Sequence, residues 1–188
     1  MTSEQALKRL AEGNARHVAN KPLQTSITAD LRLDLFKNGQ KPYAAIVSCS
    51  DSRAPAELIF DAGPGELFII RTAGNVVGAL ELGSLELAVS LFKAPLILVM
   101  GHNDCGAVRA AVNGGEFTES IEAILKEIRS GIEIVQGKSY EVYEEENIRH
   151  TLSRIAANPT VSKAVSDGSV RLVAASFSLE TGAVTFLD

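Results

Sequence analysis

PLILVMG, residues 95–101, is an unbroken apolar run, followed at once by His102-Asn103-Asp104-Cys105-Gly106. A strand covered by helices on both faces needs apolar side chains on both, so it reads as a continuous Val, Ile and Leu run. Three more segments share this character: YAAIVS at 43–48, LFII at 67–70 and VRLVAAS at 170–176. Between them lie helical patterns at Leu80–Phe92, Gly106–Val112, Glu119–Ile134 and Glu141–Ala157, with a short start at Pro55–Phe60. Apolar runs alternating with helices predict an α/β fold, a mostly parallel central β-sheet flanked by helices. The closing FSLETGAVTFLD places Thr181 and Gly182 between alternating segments and predicts a hairpin or an edge strand.

Ahead of the first run the pattern is different. Thr2 and Gln5 have capping-box spacing before Ala6, Leu10 and Ala11, so Ser3–Ala19 reads as an amphipathic helix. Ala29–Lys37, with Leu31, Leu33, Leu35 and Phe36, suits a second short helix ended near Gly39. No repeat, linker or low-complexity tract interrupts the chain. Residues 1–188 are therefore one domain, in which 1–40 form an N-terminal helical arm expected to pack on a partner subunit, although its own domain could also receive it.

With 188 residues, 46% of them hydrophobic, the chain is long enough to bury a core without any staple. Eighteen Lys and Arg against 23 Asp and Glu give a net charge of -5, and no block of positive charge is present to hold a polyanion. Nucleic acid is not an expected partner. The longest strongly apolar stretch, Ala94–Gly101, falls far short of the roughly 20 residues that cross a bilayer, and MTSEQALKRL lacks the apolar centre of a signal peptide. A cytoplasmic protein with no membrane partner is expected. Only two cysteines occur, and a reducing compartment leaves both thiols free for metal or catalysis.

Those thiols sit where two apolar runs end. Ser48-Cys49-Ser50-Asp51-Ser52-Arg53 follows the first, and His102 and Cys105 follow PLILVMG. In an open α/β sheet such carboxyl ends are where ligands bind. Two thiolates and one imidazole are a donor set that Zn²⁺ prefers, and three protein ligands leave a fourth position open, the mark of a catalytic rather than a structural site. One Zn²⁺ per chain is expected on Cys49, His102 and Cys105. If the segment is extended, Asp51 and Arg53 at i and i+2 point the same way and form a bidentate pair, which keeps the carboxylate ionised beside the metal. Gly101 and Gly106 are expected to allow the tight turns that bring His102 and Cys105 onto one ion. His17 and His150, isolated on helices, are expected to be surface residues.

CSDSR, then FIIRTAGN, then GHNDCG resemble the β-class carbonic anhydrases in order and in approximate spacing, most specifically from Gly39 to Val108. The resemblance implies reversible hydration of CO₂ to bicarbonate and a proton by a zinc-bound hydroxide that an Asp51–Arg53 dyad orients. It also implies a homodimer or homotetramer with the active site near the subunit interface. The family's plant-like subtype has a glutamine nine residues before the first cysteine, where Gln40 stands as a donor to a substrate oxygen. Phe68 matches the phenylalanine that a neighbouring subunit contributes to substrate binding. The pocket valine and tyrosine of that subtype correspond to Ala73 and Leu87, which implies a wider, less polar pocket. The other subtype resembles sequences with tryptophan three residues before the first cysteine; Ile46 stands there, so the open-site subtype is expected. The alternative on the same zinc chemistry is hydrolysis of carbonyl sulfide or carbon disulfide.

Overall fold

The computed structural model describes residues 1–23 and 27–187. Five strands form one sheet in the order β2-β1-β3-β4-β5: β1 is Ala44–Cys49, β2 Leu67–Thr72, β3 Leu96–His102, β4 Arg171–Phe177 and β5 Val184–Leu187. The first four are mutually parallel, and β5 returns antiparallel to β4 at the edge, closing the hairpin expected around Gly182. The α/β reading of the sequence holds because both faces of the strands are covered. Along β1 and β3 alternate residues serve opposite cores: Ile46, Leu98 and Met100 face one cluster, Ala45, Val47, Ile97 and Val99 the other.

On the first face, α1 (Ser3–Val18) packs through Ala6 and Leu10, both fully buried, beside Ile59 and Phe60 at the end of α3 (Ala56–Ile59). The Thr2–Gln5 capping box forms as expected. Gly13 is the contact point: a Cβ there would lie 1.9 Å from the Phe60 carbonyl oxygen, so only glycine permits this approach. Next to it, Asn14 donates to the carbonyls of Ile59 and Gly182 and accepts from the Val184 amide. The N-terminal forty residues thus divide. α1 is seated on this chain's own sheet, whereas α2 (Ala29–Asn38) buries no residue and leaves Phe36 87% exposed.

The second face carries α4 (Ala79–Ser90), α7 (Tyr140–Ala156) and α8 (Pro159–Ser166), through Leu85, Ala88, Ile148, Ile155 and Val161. Sequence periodicity alone missed α8. Its eight residues carry only a short stripe, yet Asn158 caps the amides of Thr160 and Val161 with Pro159 in the first turn, a start signal the sequence does contain. A third cluster lies over the carboxyl ends of the strands. There α5 (Gly106–Asn113) and α6 (Glu119–Gly131) place Val108, Ala111, Leu125 and Ile128 against Cys49 and Cys105.

Two local expectations need correction. Gly101 is a strand residue rather than a turn residue: a Cβ on it would lie 2.5 Å from Ile148 Cγ1, so its smallness admits α7. Gly106 begins α5 with open space around it, and the turn between His102 and Cys105 is made instead at Asp104, which adopts a φ of 58°.

Candidate metal centre

The chain leaves β1 toward β2 on one side and leaves β3 toward β4 on the other. The carboxyl ends of β1 and β3 therefore flank the point where strand order reverses, where open α/β sheets form their binding crevice. Ser48 pairs with Met100, so Cys49 and His102, the last residues of their strands, emerge side by side. Cys105 arrives as the N-cap of α5, near the positive end of the helix dipole. One ligand atom from each of Cys49, His102 and Cys105 lies within 4.8 Å of the others, and all three residues are buried.

The donor set fits a metal ion on chemical grounds. His102 Nδ1 lies 2.8 Å from the Asn103 carbonyl, which makes Nδ1 the protonated nitrogen and leaves the Nε2 lone pair free. Nε2 is buried without a hydrogen-bond partner among the described residues. A buried polar atom left unpaired is costly, and a cation beside two sulfurs is what would satisfy it. The two sulfurs lie against each other. The neighbouring Cys105 thiol, aided by His102 and the Gly74 amide, pulls the Cys49 thiol down against its burial, while the Cys49 sulfur and burial push Cys105 up. Burial opposes charge on His102, but the neighbouring Cys49 sulfur and the Asn103 carbonyl outweigh it and the net shift is upward. The main-chain N–H of Gly74, in a single 3-10 turn at Ala73–Asn75, donates to Cys49 Sγ at 3.3 Å.

Asp51 and Arg53 do meet, but not in an extended segment. The chain turns here: the Ala54 amide bonds to the Asp51 carbonyl and the Arg53 amide to Asp51 Oδ1 at 2.9 Å, so the carboxylate organises its own turn. The guanidinium then grips both oxygens, Nε to Oδ1 at 3.0 Å and Nη2 to Oδ2 at 2.7 Å. This hydrogen bonding by Arg53 holds the Asp51 carboxyl down at about 2. Asp51 Oδ2 is 3.8 Å from His102 Nε2. Asp104 ties the two motifs together, reaching Arg53 from one side and Arg109 from the other.

Three further residues grip this site, and motif reading did not single them out. Arg71 donates from Nε to the Cys49 carbonyl at 3.0 Å and from Nη2 to the Asp51 carbonyl at 2.6 Å. It is the one cation in the strand LFIIRT and lies within the FIIRTAGN stretch, but neither signal gave it a role. Glu144 and Asn147 on α7 are buried against the loops bearing the sulfurs, and the acidic run EEEN disguised them as a solvated helix face.

Gln40 and Phe68 are not brought to the site within this chain. Gln40 is exposed before β1, and Phe68 pairs in register with Ala45 near the amino end of β2 and stacks obliquely on Phe92, 5.4 Å between centroids. Ala73 lies in the 3-10 turn next to Gly74, and Leu87 is exposed on α4. His150 is largely covered rather than a free surface group: its Nε2 lies 3.3 Å from Glu127 Oε1 and 3.1 Å from the Ser130 hydroxyl.

A profile of the carbonic anhydrase family matches residues 44–184, three quarters of the chain and every residue of the centre just described. The chain belongs to the carbonic anhydrase family. It is 36% identical over 196 aligned residues to carbonic anhydrase 2 of Mycobacterium tuberculosis, covering 97% of this chain and 92% of that one. Its fold is that of the β-carbonic anhydrases. One of two tetrameric β-carbonic anhydrases from Sordaria macrospora superposes with a TM-score of 0.75 at 21% identity, over 98% of this chain and 97% of the other. The β-carbonic anhydrase CafA of Aspergillus fumigatus gives 0.78 at 24% identity over 98% and 90% of the two chains. The enzyme is thus a carbonic anhydrase, and its reaction is the hydration of CO₂.

Proposed function

We propose that this carbonic anhydrase holds one Zn²⁺ per chain on Cys49 Sγ, His102 Nε2 and Cys105 Sγ and hydrates CO₂ reversibly to bicarbonate and a proton. The observation that carries the reading is the convergence of those atoms within 4.8 Å, with Nε2 buried and otherwise unpartnered among the described residues. When bound, zinc supplies Lewis acidity that makes water nucleophilic near neutral pH. The rest of the work belongs to the chain. Asp51, held ionised and acceptor-only by the Arg53 fork, takes a hydrogen bond from the attacking water at a carboxylate oxygen and so aims the water's lone pair at carbon. Arg71 and the Asp51 turn fix that carboxylate through the main chain.

Asp51 supports assignment to the plant-like, open-site subtype: it is engaged by Arg53 and lies outside the group of converging ligand atoms. Gln40 and Phe68 fit this scheme as groups supplied by a second copy of the chain, Gln40 donating its amide to a substrate oxygen and Phe68 walling the pocket. A homodimer or homotetramer is supported by the apolar side chains left uncovered, Phe36 on α2 and Leu80, Leu87 and Leu91 on or just after α4. α2 is then the part of the N-terminal arm that docks on a partner, while the rest of residues 1–188 folds as one domain. Among the described residues no helix is long and apolar enough to cross a membrane, and both cysteines are free, which suits a reducing, cytoplasmic setting.

Stopped-flow CO₂ hydration on protein of known zinc content, from roughly pH 6 to 9, tests the reading. Activity that rises toward alkaline pH and disappears together with zinc in Cys105→Ser supports it; full activity in that variant defeats it. Sulfide release from carbonyl sulfide, measured alongside, separates the hydrolase alternative.

A further inference from the structure

Both sulfurs of the centre are tied, by different routes, to one turn of one helix. Glu144 and Asn147 are three residues apart on α7 and so share a face, and they are 4% and 0% exposed. Glu144 Oε1 accepts the main-chain N–H of Cys105 at 2.9 Å. Asn147 Nδ2 donates to the Gly74 carbonyl at 2.8 Å, and the N–H of the same glycine donates to Cys49 Sγ. Gly74 stands at a φ of 67° with no room for a Cβ, which would lie 2.7 Å from Ile128 Cδ1, so the turn that aims this N–H depends on what holds its carbonyl. The helix itself is seated in one place, because the missing side chain of Gly101 lets Ile148 press onto β3.

Burying a carboxylate and an amide is unfavourable, and α7 fills comparable depths elsewhere with Ile148 and Ile155. Packing alone would have called for apolar residues. The polar pair directs its hydrogen bonds to the two loops that carry the thiols, and Asn147 Oδ1 makes none among the described residues, so the residue's use is the donation to Gly74. Neither residue supplies an atom to the converging ligand group.

We infer that Glu144 and Asn147 are positioning residues that hold Cys49 and Cys105 at the separation and orientation zinc requires, an inference that rests on the reading of those cysteines and His102 as zinc ligands. α7 acts as a common brace: one bond fixes the start of α5 through Cys105, the other fixes the peptide that donates to Cys49. Groups that orient metal ligands in this way typically govern metal affinity by about 10- to 100-fold.

Zinc affinity by chelator competition, and the visible spectrum of the cobalt-substituted protein, are measured on the intact chain and on Glu144→Ala, Glu144→Gln and Asn147→Ala. Glu144→Ala and Asn147→Ala are expected to weaken zinc by about 10- to 100-fold and to shift the cobalt bands. Glu144→Gln keeps a carbonyl acceptor for the Cys105 N–H and is expected to restore most of the affinity. Should Glu144→Ala fail to fold, Asn147→Ala and Glu144→Gln carry the comparison. Wild-type affinity and unshifted bands in the folded variants overturn the inference and leave a merely structural brace. Absence of zinc binding by the unaltered chain overturns the underlying assignment of the ligands instead.

Discussion

Arg53 meets Asp51 as a fork meets a fork, with Nε on Oδ1 at 3.0 Å and Nη2 on Oδ2 at 2.7 Å. The same carboxylate accepts the Arg53 amide, so two residues of one turn fix each other's side chain and backbone. Such a pair presents a carboxylate in one orientation and one charge state beside His102.

Arginine and lysine differ at such a site. A lysine supplies a point charge without the planar fork, so Arg53→Lys is expected to retain zinc yet lose activity, and Arg53→Ala to lose more, on the order of 10²-fold in kcat/KM. Steady-state hydration kinetics on protein of matched zinc content check this. Wild-type kcat/KM in Arg53→Ala would remove the dyad from the mechanism.

The fold was legible because its strands are apolar on both faces and end at polar motifs; β1 and β3 could be read from YAAIVS and PLILVMG, and the candidate metal ligands from the cysteine and histidine motifs at their carboxyl ends. The residues that brace the centre were not. Arg71 bonds to carbonyls, Glu144 to an amide and Asn147 to a carbonyl, and contacts with the main chain leave no partner residue type to recognise in a sequence. Gly101 was misread for a related reason: a turn and a close helix contact both call for glycine, and only the position of Ile148 distinguishes them. Spacing predicted that Asp51 and Arg53 would meet in an extended segment; their side chains do meet, but across a turn that the Asp51 carboxylate itself organises.

Because a Cβ at residue 101 would stand 2.5 Å from Ile148 Cγ1, Gly101→Ala is expected to destabilise the protein by about 1–3 kcal/mol through overpacking. Trimming the neighbour in Gly101→Ala/Ile148→Ala, which removes both Cγ1 and Cδ1, should cost less than the two single changes add up to. Urea unfolding of the single and double variants measures the coupling, and strict additivity would contradict a packing origin.

Leu10 holds α1 on the sheet from a fully buried position in the first core. Leu10→Ala is expected to cost about 2–5 kcal/mol, through lost burial and the cavity left behind. Denaturant unfolding at fixed protein concentration checks it, and a change below roughly 0.5 kcal/mol would mean that α1 is not docked as described.

Phe36, 87% exposed on a helix that buries nothing, is proposed to contact a second copy of the chain. Phe36→Ser is expected to shift the sedimentation profile toward smaller species while leaving the circular dichroism spectrum intact. An unchanged distribution of species would detach α2 from the interface.

Elemental analysis of the purified protein tests the metal assignment most directly. About one zinc per chain is expected, falling to near zero in His102→Ala, which removes a buried Nε2 otherwise unpartnered among the described residues. Protein that purifies folded and active with no zinc, or that keeps its full complement in His102→Ala, would contradict the assignment.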